Sequence, residues 1–232
     1  MEYYQMRYVE NIFELFKAAY DRDTPEYNKP WISSWPYQEH AGPKPENAEK
    51  NLPVDFFTFN GPKEFIPWFN WSLSPKPDYF PSSLVEPLIQ KSNDFDSKLL
   101  KTFGLQYDLE KHRDAIARNN AQDYILMNAY PMPGPQVGKR ILDFGAGNGR
   151  QANLLSQLED EQLVYIGVDA IPKSYCLQHL YYSVTDRPFY DYVVDPTSTV
   201  LDDNSRGIYH LPTWRFDLIP DNYVDKIVTV QV

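Results

Sequence analysis

Three glycines at alternate positions, Gly145, Gly147 and Gly149, follow directly on the short apolar run Arg140-Ile141-Leu142-Asp143-Phe144. Glycine reaches positive φ at little steric cost and lets a ligand approach the backbone closely. The pattern therefore describes a buried strand that turns into a helix and presents amide N–H groups to a nucleotide. A dinucleotide fingerprint, G-x-G-x-x-G, needs its third glycine at position 150. That position is Arg150, and the glycine comes one residue early.

The residues that follow supply the elements such a turn needs. Gln151 to Leu158 sets Leu154, Leu155 and Leu158 on one side of a short helix, and Leu163 to Val168 is an apolar, β-branched run ending at Asp169. In a doubly wound sheet an acidic residue at the end of the second strand lies beside the glycine turn, about twenty residues further on, where it accepts hydrogen bonds from ribose hydroxyls. Gly207 to Arg215 reads as a third core strand followed by Phe216-Asp217-Leu218. Ile219 to Val232 then runs into a fourth.

The run D-x-G-x-G-x-G from Asp143 to Gly149 resembles motif I of the class I S-adenosylmethionine-dependent methyltransferases, and the later landmarks come in that family's order. The resemblance covers roughly residues 138 to 232. It implies an α/β fold with a Rossmann-like, doubly wound, mostly parallel sheet, and S-adenosyl-L-methionine as cofactor. On that pattern Asp143, Phe144, Gly145, Ala146, Gly147, Asn148 and Gly149 surround the methionine part and the ribose. Asp169 would take the ribose hydroxyls, and Ala170 and Ile171 would line the adenine side. Asp217 would meet the adenine amino group, Leu218 would pack on the ring, and Gln231 would approach the donor pocket from the fourth strand. A helix upstream of the first strand often closes over the donor in this family, which makes Arg118, Gln122 and Tyr124 candidates to reach its carboxylate or sulfonium. Each landmark also has a plainer use: a turn in any α/β protein, a solvated strand end, a helix cap or a solvated helix face.

The long aromatic N-terminal extension and the wording of the donor half resemble the sugar O-methyltransferases of bacterial surface-polysaccharide pathways, which implies a sugar, sugar nucleotide or other small hydroxyl-bearing acceptor. Enzymes that methylate exocyclic amines of bases carry Asn/Asp-Pro-Pro-aromatic after the fourth strand; here the chain reads Thr229-Val230-Gln231-Val232. Two other readings stay open, a non-catalytic donor-binding or interaction module and a nicotinamide-dependent oxidoreductase. No catalytic base is assigned: His40, His112, His179 and His210 read as surface or satisfied core residues, and no metal site is expected.

With 32 acidic against 22 basic residues, a net charge of −10, the bulk surface is unsuited to nucleic acid. The single cysteine, Cys176, excludes a disulfide framework and suits a reducing, cytoplasmic setting. Met1 to Tyr20 carries Glu2, Glu10 and Glu14 and lacks the apolar stretch of a signal peptide, and no segment suits a membrane span.

Three regions are expected. Residues 1–92 hold an amphipathic helix over the first twenty residues (Val9, Ile12, Phe13, Phe16, Tyr20), then a proline- and aromatic-rich segment from about 25 to 87. That segment includes Trp31, Trp35, Trp68 and Phe69, and its prolines argue against long helices. Residues 93–137 form a helical cap interrupted near Gly104. Residues 138–232 form the donor domain, with Phe189 to Pro196 as a strand or hairpin inserted before the third core strand. The family's seven strands run 3-2-1-4-5-7-6, and Val232 closes the fourth. The expectation is a truncated domain, or one completed by a partner, with an exposed edge strand and a homo-oligomer through that edge or the extension.

Overall fold

The computed structural model describes residues 8–23, 58–71, 77–129 and 139–229. Most of the proline- and aromatic-rich segment, with Trp31 and Trp35, and also His40 and Gln231, lie outside these residues.

The run that becomes β2 (Val164–Asp169) is buried at every position, so it needs neighbours on both edges and cover on both faces. It lies between β1 (Arg140–Phe144) and β4 (Gly207–Pro212), and the sheet is completed by β3 (Phe189–Asp191) beyond β4 and β5 (Lys226–Thr229) beyond β1. All four pairings are parallel, in the order β3-β4-β2-β1-β5. From β1 the chain steps one way to β2 and the other way to β5, so the order reverses at β1. Open α/β sheets bind ligands outside the carboxyl ends of their strands at such a reversal.

Two sequence expectations shift here. Strand β4 stops at Pro212 rather than running to Arg215, because proline has no N–H for the ladder; a 3₁₀ segment, Thr213–Leu218, follows. The inserted element is a three-residue edge strand parallel to β4, and its hairpin alternative is not formed.

Helices flank the sheet. α1 (Ile12–Asp23) runs past Tyr20 and buries Ile12, Phe16 and Ala19, with residues 8–11 outside it. α2 (Phe65–Trp71) precedes α3 (Ser82–Thr102), which is 21 residues long and contains Pro87. This overturns the expectation that the prolines exclude a long helix there. The ring of Pro87 is on the exposed side, while Val85, Ile89, Phe95, Leu99 and Leu100 are buried against the body of the protein. A proline inside a helix costs about 3 kcal/mol and each buried aliphatic or aromatic side chain returns roughly 1.5–3 kcal/mol, so packing prevails. After the break at Gly104, Asp108 caps α4 (Leu109–His112), accepting from the N–H groups of Glu110 and Lys111. A π-helical turn (Arg113–Ala117) leads into α5 (Arg118–Ala129).

In the donor region α6 (Gln151–Leu158) follows the glycine turn and α7 (Pro172–Ser183) follows β2. Every residue of α7 from Pro172 to Tyr182 is buried, because β2, β3 and β4 pack on one side and α1 on another. Phe16 of α1 meets Tyr175 of α7 at 4.8 Å and Trp214 at 5.0 Å between ring centroids. Polar residues of α7 therefore point into protein and must find partners there. Among the described residues, no helix is long and apolar enough to cross a membrane.

Candidate functional site at the carboxyl end of the sheet

The glycine turn sits where the strand order reverses. Gly145, Gly147 and Gly149 all have positive φ, at 74°, 61° and 81°. The Gly145 N–H donates to the Val168 carbonyl at 2.8 Å, docking the turn on the end of β2, and the Asn148 side-chain oxygen accepts from the Arg150 N–H at 3.3 Å. Ala146, Asn148 and Gly149 are buried, whereas Phe144, Gly145 and Gly147 are only half-buried. A Cβ on Gly149 would lie 2.8 Å from the Tyr182 ring, so that glycine serves packing; a Cβ on Gly147 would meet only Trp68, at an ordinary 3.8 Å. Gly147 is thus the open position of the turn, and Trp68 of α2 is the side chain over it. The segment bearing Trp68 is tied down by a buried ion pair between Lys173 of α7 and Glu64, at 3.0 Å.

Two carboxylates stand behind the turn. Asp169, 5 % exposed, accepts from the Gly147 N–H at 3.2 Å, the Ile171 N–H at 2.9 Å and the Gln178 side-chain amide at 2.9 Å. Burial pushes its carboxyl up to about 6, against the pull of those donors. Asp143, 1 % exposed, accepts from the Tyr165 hydroxyl at 2.6 Å through Oδ2. Its Oδ1 is buried without a hydrogen-bond partner. Burial pushes Asp143 up to about 7, against the Tyr165 hydrogen bond and with the nearby charge of Asp169 adding to the rise. The floor of the turn thus holds two buried carboxyls raised toward neutrality and one unsatisfied acceptor.

Ala170 and Ile171 lie half-buried just past β2, and Leu218 is half-buried and packed on the core. Phe144 meets the exposed Phe216 edge-to-face at 6.1 Å, joining the end of β1 to the 3₁₀ segment. Asp217 lies in the 3₁₀ segment that follows β4. It is exposed, and Arg215, two residues away, donates to it at 3.1 Å and 3.3 Å.

The helical candidates make structural contacts, although the Gln122 amide nitrogen is buried without a hydrogen-bond partner. Arg118 is held by Glu86 at 2.9 Å and Asp78 at 3.4 Å, so its guanidinium stitches α5 to the start of α3. Gln122 accepts from the Tyr79 N–H at 2.7 Å, and the Tyr124 hydroxyl donates to Glu159 at 2.9 Å. The link between α5 and the turn is Asp123, which accepts from Arg150 at 2.9 Å and Gln151 at 3.2 Å. Nothing in the sequence marked Asp123, whose partners lie 27 and 28 positions away.

A second polar cluster lies deeper. His179, Asp191 and His210 are fully buried, with one ligand-type atom from each within 4.8 Å of the others. Asp191 Oδ2 faces Nδ1 of both histidines at 2.8 Å, while its Oδ1 accepts from the Tyr175 hydroxyl at 2.9 Å and the Val193 N–H at 3.0 Å. The Val9 N–H donates to His179 Nε2 at 3.3 Å, so that nitrogen is unprotonated and Nδ1 carries the proton. A protonated Nδ1 offers no lone pair to a cation, and the cluster is a hydrogen-bonded one. Burial alone would raise the Asp191 carboxyl, but the two imidazoles outweigh it and hold Asp191 well below the usual carboxylate range. His112, equally buried, is hydrogen-bonded to Asp96. The reading of these three histidines as core residues agrees with their burial.

Fold and site together define an α/β protein with a five-stranded, all-parallel, Rossmann-like sheet and a glycine turn at its reversal point. No family model matches the chain, and neither the curated proteins nor the solved structures give a match.

Proposed function

We propose that the chain is an S-adenosylmethionine-dependent methyltransferase domain that acts on a hydroxyl of a sugar or other small acceptor. The observation that carries this reading is the Asp143-to-Gly149 turn, placed at the reversal of the sheet with Asp143 and Asp169 behind it. The residues present fit the donor. The half-buried backbone at Gly145 and Gly147 leaves main chain within reach, and the unpartnered Asp143 Oδ1 suits an ammonium or another cationic donor of hydrogen bonds. A ribose would meet Asp169 already oriented by internal donors, the Gly147 and Ile171 N–H groups and the Gln178 amide among them.

A sulfonium donor supplies an electrophilic methyl group for in-line displacement. The chain's part is then to bind, align and keep water away. Asp143 and Asp169 would favour a cationic ligand, Ile171 and Phe144 would give apolar contact, and Trp68 would shield the open side of Gly147. All three described histidines are fully buried, so none offers an exposed base for an acceptor hydroxyl. With no described histidine placed as a base, the second reading is a donor-binding module without catalysis. A cytoplasmic location accords with the donor and with the single, buried Cys176.

Titration calorimetry with S-adenosylhomocysteine should give one-site binding, and a hundredfold excess over Kd should stabilise the fold by about 2.7 kcal/mol in a thermal melt. No heat and no shift with this ligand, alongside binding of NADH, would replace the reading by the oxidoreductase one. Donor binding without methyl transfer to any member of a sugar panel would select the non-catalytic module.

A further inference from the structure

The side chain that touches both halves of the candidate site belongs to neither motif. Gln178 of α7 donates through its amide nitrogen to the Gly147 carbonyl at 2.8 Å and to Asp169 Oδ2 at 2.9 Å, bridging the turn and the carboxylate. Both targets accept only. Its nitrogen must therefore face them, and its oxygen must face the other way, where it meets His210 Nε2 at 2.9 Å. That contact requires a proton on Nε2; with Nδ1 facing the Asp191 carboxylate as well, both ring nitrogens donate, which makes the ring an imidazolium that burial opposes and Asp191 favours. His210 is itself fixed: Nδ1 faces Asp191 Oδ2, and the ring stacks on Tyr175 with centroids 3.6 Å apart. Asp191 is fixed in turn by Tyr175, Val193 and His179. All members of this chain are fully buried, so water cannot substitute for a missing partner. A flipped amide would set its oxygen against a carboxylate and a carbonyl and its nitrogen against the Nε2 proton.

We propose that Gln178 is a positioning residue of the ligand site, oriented from behind by His210 and Asp191, and that it holds the Gly147 backbone and the Asp169 carboxylate in the arrangement that receives a ribose diol. The inference rests on the donor-site reading above. It assigns α7 a role in ribose recognition distinct from its role in the core: the amide withdraws one oxygen of Asp169 into the protein and so fixes where the carboxylate's remaining capacity points. His210 acts only through Gln178.

The test is a comparison of adenosine with 2′,3′-dideoxyadenosine in the unmodified chain and in Gln178→Glu, which keeps the shape of the side chain but loses the donor. The unmodified chain should prefer adenosine by about tenfold, the equivalent of one hydrogen bond to a charged group, and Gln178→Glu should erase the preference. His210→Asn, which frees the amide to turn, should reduce the preference part of the way. A merely structural role would weaken both nucleosides equally and leave their ratio intact, and that result overturns the proposal. Should the variants not fold, the side-chain amide resonances of Gln178 in the unmodified chain decide: they should shift when adenosine is added and shift less with the dideoxy compound, and equal shifts or none overturn the proposal. If neither nucleoside nor S-adenosylhomocysteine binds the unmodified chain, the donor reading itself fails and the proposal falls with it. Binding without discrimination between the nucleosides removes this proposal alone.

Discussion

Asp143→Asn is expected to raise the melting temperature of the ligand-free protein at pH 8 while weakening its affinity for S-adenosylhomocysteine. The carboxyl of Asp143 titrates near 7 in the folded chain, and burial is the main cause; unfolded, it titrates near 3.9. A raised carboxyl works against the fold as it ionises. Below about pH 4 both states hold the proton and no penalty arises. As pH rises towards 7 the unfolded chain releases the proton while the folded chain retains it, so stability falls; above 7 the loss levels off at roughly 4 kcal/mol. Asparagine removes that penalty but brings an N–H₂ to the position of the unpartnered Oδ1, which costs about 1–2 kcal/mol. A net gain of about 2–3 kcal/mol at pH 8 corresponds to roughly 4–12 °C for a chain of this size. The gain should shrink steadily when melts are run from pH 8 down to pH 5. A pH-independent difference would show that the charge is not the cause.

Gly167→Ala is expected to cost about 3 kcal/mol, and Tyr182→Phe to recover about half of it. Gly167 sits in the middle of β2, where an added Cβ would stand 2.4 Å from the Tyr182 hydroxyl and 3.1 Å from two ring carbons. The ring cannot retreat: it is fully buried and packs on Tyr165 and Phe189, with centroids 5.8 Å and 5.7 Å away. Overpacking of this kind costs about 1–3 kcal/mol and more where no side chain can yield. Removing the hydroxyl takes away the nearest atom, so denaturant unfolding of the two single variants and the double variant should show a coupling of about 1.5 kcal/mol. Simple additivity would mean that the backbone, not the ring, absorbs the clash.

What the sequence disclosed follows from distance along the chain. Leu163 to Asp169 announces a buried strand because its own residues are apolar and β-branched, and the glycines of the turn are intelligible because their φ values are local demands. The carboxylates at 143 and 169 fall where the strand ends put them. The place of Asp217 depends on where β4 stops, and Pro212 stops it earlier than the sequence suggests. Pro87 misled in the opposite sense: its local cost is real, and only the buried face of α3, built from partners far away in sequence, outweighs it. Arg118 is a candidate by its helix's place before the first strand, and its acids at 78 and 86 lie 40 and 32 positions away. The link from Gln178 through His210 to Asp191 is not legible for the same reason, since a glutamine on a helix has no signature until the tertiary fold shows what it touches.

Helix α7 is enclosed on every side, and that enclosure sets the timescale on which the region behind the turn can rearrange. Amide protons from Tyr175 to Tyr182 should exchange with deuterium only when the whole domain opens, as for the slowest core elements of other proteins. The anchor of the Gly147 carbonyl therefore has no cheap local excursion, and a ligand arriving at the turn meets a surface already set in place. Its association rate would then be governed by encounter and by the side chains of α2 above the turn, not by breathing of the sheet beneath.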